Sequence, residues 1–349
     1  MTHDLNSALC SAQHHAHTGR LLLVTLLWLT ASAGAQACNI PVFRYALERW
    51  NADEVEIVVF MDQRLTKEQS DYIEKLQQQS VTAGGPVNCR VAPVMVHDGE
   101  TDSEQTLWHS LRQAGETVKL PFVVARSRSG RGRIMNHWKA SLDQTIAQGP
   151  LQDSPARTEI VNRLLRGDAV VWLVLRPDTS TASKNAADSC TEMLKEQCQL
   201  LPRQLQLPDG IGLPGSELYS DVPLLLQFSV LEIDGSDRRE QYLIEQLTGF
   251  RQEEWQQGEA LVVPIFGRGR VLEVIPASEV NPQLVKELAE FLCGACSCQV
   301  KEQNPGFDLL LSTAWTSRLF GEDAPPVSSD GEKQQSRPQL IPIPSGRRR

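Results

Sequence analysis

No Walker phosphate loop, Rossmann glycine fingerprint, Gly-x-Ser-x-Gly elbow or zincin His-Glu-x-x-His motif occurs in the sequence. This leaves nucleotide hydrolysis, dinucleotide redox chemistry, serine-esterase chemistry and zinc proteolysis without their usual signatures. Excess positive charge is also missing. The formal net charge is −9, and no zinc-finger, helix-turn-helix or RNA-binding pattern stands against it. Phosphate backbones are bound by basic surfaces, so nucleic acid is not an expected partner. Long apolar runs are absent beyond residue 37, and nothing there has the length of a bilayer span. What remains is a globular composition, 41% apolar and 22% charged over 349 residues, enough for two domains with their own cores.

The one apolar run lies near the start. Arg20 precedes Leu21-Leu22-Leu23-Val24-Thr25-Leu26-Leu27-Trp28-Leu29, and small residues lead to Ala35-Gln36-Ala37. A basic residue, a short apolar stretch and an A-x-A end make a secretory signal peptide over residues 1–37. The segment before it, with His14, His15 and His17, forms an unusually long n-region and points to a start codon further downstream. Cleavage after Ala37 makes Cys38 the first mature residue. Acylation of Cys38 would give a membrane-anchored lipoprotein, although Ala35 and Gln36 depart from a lipobox. The expected location is therefore periplasmic or extracellular, with membrane contact only if Cys38 is lipidated.

Residues 39–41 resemble a helix start, and Val42, Phe43, Ala46, Leu47 and Trp50 form one helical face. Arg44 and Glu48 are spaced for an ion pair on another face. This helix is expected to dock on the unit that follows. Val55–Phe60 and Cys89–Val96 read as strands, and Thr66–Gln79 and Ser103–Gln113 as helices. A hairpin is expected over Pro121–Trp138, turning at Gly130-Arg131-Gly132-Arg133, and Asp153-Ser154-Pro155 caps a helix with Ile160, Val161, Leu164 and Leu165 periodic. The order then recurs: strand Ala169–Leu175, helix Ala187–Leu201, strand Pro223–Ile233, helix Gln241–Leu247, a hairpin over Ala260–Ile275 turning at Gly267-Arg268-Gly269-Arg270, and a helix after Asn281-Pro282.

Strands alternating with helices imply α/β units with parallel pairing. A βαβ half followed by a ββα half resembles the thioredoxin-like fold, and the repeat predicts two such units in tandem, with mixed sheets flanked by helices. Their expected bounds are 38–167 and 168–320, with a disordered Pro-rich tail over 321–349. The resemblance implies a cis proline before the third strand. Pro121 fits that place, whereas Pro264 lies inside its strand.

A thioredoxin-like oxidoreductase carries its nucleophilic cysteine after the first strand, where the helix dipole stabilises the thiolate. Here those places hold Met61-Asp62-Gln63-Arg64-Leu65 and Arg176-Pro177-Asp178-Thr179, without cysteine. The Cys293-Gly294-Ala295-Cys296 motif, with Cys298 beyond, follows the last helix, at the negative end of its dipole. Three readings of this cluster stay open: structural disulfides, a soft-metal site for copper(I) or zinc, and thiol exchange. Disulfide candidates are Cys89, Cys190, Cys198, Cys293, Cys296 and Cys298. Cys190 and Cys198 fall on one helical face about 12 Å apart along the axis, too far to bond to each other. Cys38 is left as a free thiol, an acylated residue or an intermolecular bridge.

His97, His109 and His137 show no metal spacing and are assigned ordinary surface or core roles. The Arg-Gly-Arg turns read as solvated hairpin tips, with anion binding as the other reading.

Several stretches resemble a family of exported bacterial proteins for which no activity is established. They are Cys38-Asn39-Ile40-Pro41-Val42-Phe43-Arg44-Tyr45-Ala46-Leu47-Glu48-Arg49-Trp50, Asp153-Ser154-Pro155-Ala156-Arg157, Phe266-Gly267-Arg268-Gly269-Arg270, Gly294-Ala295-Cys296-Ser297-Cys298-Gln299-Val300-Lys301, and Asn304-Pro305-Gly306-Phe307-Asp308-Leu309-Leu310. The resemblance implies export and one architecture throughout. The resulting expectation is a non-catalytic binding or assembly module without cofactor that meets envelope proteins. The alternative is a thiol or copper/zinc protein using Cys293, Cys296 and Cys298.

Overall fold

A computed structural model describes residues 39–96, 103–113, 118–128, 132–177, 180–213, 218–296, 301 and 305–321. The expected signal peptide, Cys38, His97, Cys298 and the tail lie outside the described residues.

After helix α1 (Val42–Arg49) the first layered unit runs β1 (Val55–Met61), α2 (Lys67–Gln79), β2 (Cys89–Met95), α3 (Ser103–Gln113), β3 (Phe122–Arg128), β4 (Ile134–Ser141) and α4 (Leu142–Gln148). Its sheet has the order β2-β1-β3-β4, with β1 parallel to β2 and antiparallel to β3. Alternation along β1 sends Val55, Ile57 and Val59 to the face covered by α2 and α4, and Val58 and Phe60 to the face covered by α3. Thr66 and Gln69 close a capping box at the start of α2, which sets the turn out of β1. The Leu120–Pro121 peptide is cis and lies directly before β3.

The second unit follows as α5 (Pro155–Leu165), β5 (Asp168–Arg176), α6 (Thr181–Gln204), β6 (Gln227–Asp234), α7 (Gln241–Thr248), α8 (Gln252–Gln256), β7 (Leu261–Phe266), β8 (Arg270–Val271), β9 (Ile275–Pro276), α9 (Pro282–Cys293), β10 (Phe307–Asp308) and α10 (Trp315–Phe320). Its sheet runs β6-β5-β7-β8-β10, with β9 also on β7. Val170, Trp172 and Val174 of β5 face α6 and α9, whereas Val171, Leu173 and Leu175 face α5 and α7. Both units therefore share the thioredoxin-like arrangement: two mixed sheets, each with its first strand between a parallel and an antiparallel neighbour and flanked by helices on both faces.

Several expectations need correction. Helix α1 docks on the second unit, not the first: Val42, Phe43 and Ala46 pack with Trp172 and Phe266, and Leu47 with Val171 and Ile265. The Arg44–Glu48 pair forms at 2.8 Å but is buried, because Glu48 also accepts from the backbone N–H groups of Tyr219 and Ser220. Helix α5 does not close the first unit; Ile160, Val161 and Leu164 pack on the second sheet. The first unit is closed by α4 instead, whose capping box of Ser141 and Gln144 is legible in the sequence. Helices α1 and α5, both before residue 168, thus pack into the clusters of the second sheet. The fourth strand of the second sheet is split into β8 and β9. Pro264, opposite Trp172 in β7, has no N–H to donate where that strand is interrupted.

Candidate functional site

Residues 305–313 form a strap that joins the two units. Phe307 and Asp308 pair with β8, and the chain then continues in extended alternation across to the first unit. Leu309 and Leu311 enter the second core, and Leu310 enters the first. Buried Asn88 holds the strap from both sides: its side-chain amide donates to the Leu309 carbonyl at 2.9 Å and its amide oxygen accepts from the Leu311 N–H at 2.7 Å. Gln246 of α7 donates to the Asp308 carbonyl at 3.1 Å. Every polar strap group named here is satisfied by a side chain from another element, which is how a segment can run buried between two cores.

A network of charge lies at the head of the strap. Arg270 donates to Asp308 at 3.0 Å and to the Pro305 carbonyl at 3.2 Å. Lys301 bridges Asp308 and Asp53, at 2.8 Å to the latter, and the Asp53 backbone N–H donates to Asp308 at 2.6 Å. Arg270 and Asp308 are buried, Lys301 nearly so, and Asp53 is half-exposed. Burial, with neighbouring Asp308, raises the Asp53 carboxyl above its ordinary range, and Lys301 and Arg270 oppose that rise. Beside it Arg268 donates to the carbonyls of Leu47 at 2.8 Å and Glu48 at 3.0 Å, and to Asn51 at 3.2 Å. A cation thus closes the negative end of α1. Gly267 permits the approach: its φ is +58°, and a Cβ there would lie 2.6 Å from the Ala46 Cβ. The second Gly-Arg-Gly-Arg turn is consequently a buried clamp and not a solvated tip. In the first copy Gly130 and Arg131 lie outside the described residues, and Arg133 is exposed.

A second polar centre surrounds Arg157. Its Nε donates to Ser154 Oγ at 2.9 Å, and the Ser154 hydroxyl donates on to Glu240. Glu240 also accepts the Ala156 N–H at 2.8 Å. The two terminal nitrogens of Arg157 reach the carbonyls of Leu310, Pro150 and Gln152. The Asp153-Ser154-Pro155-Ala156-Arg157 signature is thus a start of α5 whose arginine gathers the preceding loop and the strap. Arg157 floors a cleft of about 250 Å³ between α2, the 150–153 loop and the strap. Sequence reading missed this cleft and the roles of Arg157, Asn88 and Asp308. The local signal for Arg157 was only its place in the signature.

The predicted residues are distributed as follows. Cys293 and Cys296 are buried together in the core beneath α1, where Val42 donates to the Gly294 carbonyl at 3.1 Å and Cys296 donates to the Ile40 carbonyl at 2.9 Å. Cys190 and Cys198 lie along α6 and Cys89 at the start of β2; these three and Cys293 stand as thiols. Burial pushes the thiols of Cys89 and Cys190 up to about 11, and those of Cys198 and Cys293 up to about 12. No group of three or more His, Cys, Asp or Glu side chains among the described residues is placed to hold a metal ion. His109 is exposed on α3. His137 is buried, its Nε2 2.7 Å from Ser127 Oγ, and its ring packs against Phe250 and Phe307 of the second unit. The corners after β1 and β5 present Asp62, Gln63, Arg64 and Arg176, Pro177.

No protein-family model and no curated protein matches the chain. Among solved structures, the zinc-bound form of human ERp44 is similar at 11% identity and a TM-score of 0.19, over 72% of this chain. The chain spans 58% of the length of that structure's chain.

Proposed function

We propose that the chain is an exported, non-catalytic module of the cell envelope that binds or assembles other envelope proteins. The observation that carries this reading is the cysteine-free corner after the first strand of each unit, the place where thioredoxin-like chemistry would require a thiolate. The raised thiol values of Cys89, Cys190, Cys198 and Cys293 support it, since each disfavours the nucleophilic form at neutral pH. The Leu21–Leu29 run and the Ala35-Gln36-Ala37 end support export, and the signature stretches support membership of the exported bacterial family they resemble. Insulin reduction by dithiothreitol, followed with and without the mature protein, tests the non-catalytic part. The expected result is no acceleration; turnover of insulin disulfides by the mature chain overturns the reading. Fractionation of cells expressing the full chain tests export, with the processed protein expected outside the cytoplasm.

A second reading draws on the burial of Cys293 and Cys296 at one corner: a copper or zinc site, or a thiol-exchange site, that also uses Cys298. Elemental analysis of natively exported protein decides it. Stoichiometric copper or zinc that is lost in Cys296→Ser would favour this reading over the first.

A further inference from the structure

We propose that the cleft floored by Arg157 binds a small organic carboxylate with a short apolar body. The proposal rests on the binding-module reading above and places a ligand on it.

Arg157 is buried, and its guanidinium has five N–H donors. Four are accounted for: Nε by Ser154, one on Nη1 by the Leu310 carbonyl, and two on Nη2 by the Pro150 and Gln152 carbonyls. One Nη1 hydrogen is uncommitted. The bonded partners are neutral oxygens; Asp153 acts on the guanidinium through space without a bond to it, and buried Glu240 is linked to it through the Ser154 hydroxyl. A buried cation so placed favours an anion at its one uncommitted N–H.

The walls agree with that charge. Lys75, Gln79, Gln152 and Ser312 line the cleft, and none of their side chains makes a hydrogen bond or ion pair with another described residue. They bring an ammonium, two amides and a hydroxyl to one concavity as uncommitted donors. Asp153 is the one carboxylate on the lining, and both of its oxygens are engaged, by the Ser154 N–H at 3.0 Å and the Thr158 hydroxyl at 3.0 Å. The lining therefore carries two cations and one satisfied anion. Val87 and Leu151, 9% and 4% exposed, supply a thin apolar edge, and Leu310 lies wholly buried beneath it. A volume of about 250 Å³ lies just below the usual range of small-molecule pockets and suits an acid the size of one acylated amino acid. Donors on one side and aliphatic side chains on the other match a carboxylate joined to an alkyl group. They match a bare inorganic anion less well, because it would leave that apolar edge unused.

The test is titration of the mature protein with N-acetyl-leucine, read by calorimetry and by amide NMR shifts. N-acetyl-leucinamide and inorganic phosphate serve as separate probes. The acid is expected to bind at least about tenfold more tightly than the amide, the margin of a charge-assisted contact. Lys75→Met, at an exposed position on α2, should weaken the acid about fivefold or more while leaving the thermal midpoint unchanged. Shifted amides should include those of residues 151, 152 and 312. Equal affinity for acid and amide, no response to Lys75→Met, tighter binding of phosphate, or no saturation by about 10 mM acid each overturns the cleft assignment. A protein that fails these tests yet remains inert toward insulin loses the cleft and keeps the non-catalytic reading.

Discussion

The Nε of Arg268 lies 2.8 Å from the carbonyl oxygen of Leu47, so a turn of the second sheet closes the helix that opens the described chain. The same guanidinium reaches Glu48 and Asn51, and burial pushes it down to about 10, against the pull of Glu48. Few groups other than arginine can serve two carbonyls and an amide at once. Arg268→Ala should lower stability by about 2–4 kcal/mol, because it removes charged hydrogen bonds and leaves buried carbonyls unpaired. Arg268→Lys should recover less than half of that. Urea unfolding of the three proteins measures it; a midpoint for Arg268→Ala within error of the parent would contradict the clamp.

Asp308 and Asp53 share Lys301 but differ in burial, and their variants should separate accordingly. Asp308→Asn leaves Arg270 and Lys301 short of their buried counter-charge and should cost about 3–5 kcal/mol. Asp53→Asn removes a half-exposed carboxylate whose pKa is already raised, and should cost about 1 kcal/mol or less. Chemical denaturation compares them directly, and equal losses would show that burial does not set the energetics of this network.

The thiols of Cys89, Cys190, Cys198 and Cys293 should be slow to alkylate. With values pushed up to about 11 or 12, few thiolates exist at pH 8. Iodoacetamide labelling in the native state should run roughly a hundredfold slower at these four than in urea. Peptide mass mapping reads each cysteine separately. A fast native reaction at Cys293 would mean a poised thiol at the corner beneath α1.

His137 predicts how stability responds to acid. Burial pushes its imidazole down to about 4 from an ordinary 6.5. The folded state therefore prefers the neutral ring, and the unfolded chain binds the proton first as pH falls. This contribution is complete above pH 6.5 and is lost as pH drops through the interval to 4, by about 3 kcal/mol in all. Since the ring lies between β4 of the first unit and Phe250 and Phe307 of the second, charging it should loosen the contact between the units. His137→Gln should flatten the stability profile between pH 6.5 and 4. A profile as steep as the parent's would assign the acid response to other groups.

Much of the secondary structure was readable without coordinates. β1 and β5 announce themselves as apolar runs rich in β-branched residues, Asn281-Pro282 caps α9 as its residue types require, and Ser103–Gln113 is helical over the expected span. The cysteine-free corners needed only the position of the strand ends. Helix α4 was legible in its capping box and was overlooked, whereas the split of the fourth strand needed the pairing of β7 to reveal it.

The candidate sites belong to another level. Arg268 meets Leu47 across 221 positions, Arg157 meets Leu310 across 153, and Asn88 meets Leu311 across 223. Periodicity and capping act within a few residues, so they specify which segments become helices or strands and which faces are apolar. They carry no information on which apolar face meets which. The docking of α1 and α5 on the second sheet, and the passage of the strap between two cores, follow from burying several faces at once with every buried polar group paired. Sequence alone therefore settles the repeated α/β order and the missing thiolate. Only tertiary packing turns an arginine-glycine turn into a buried clamp and opens a cleft over Arg157.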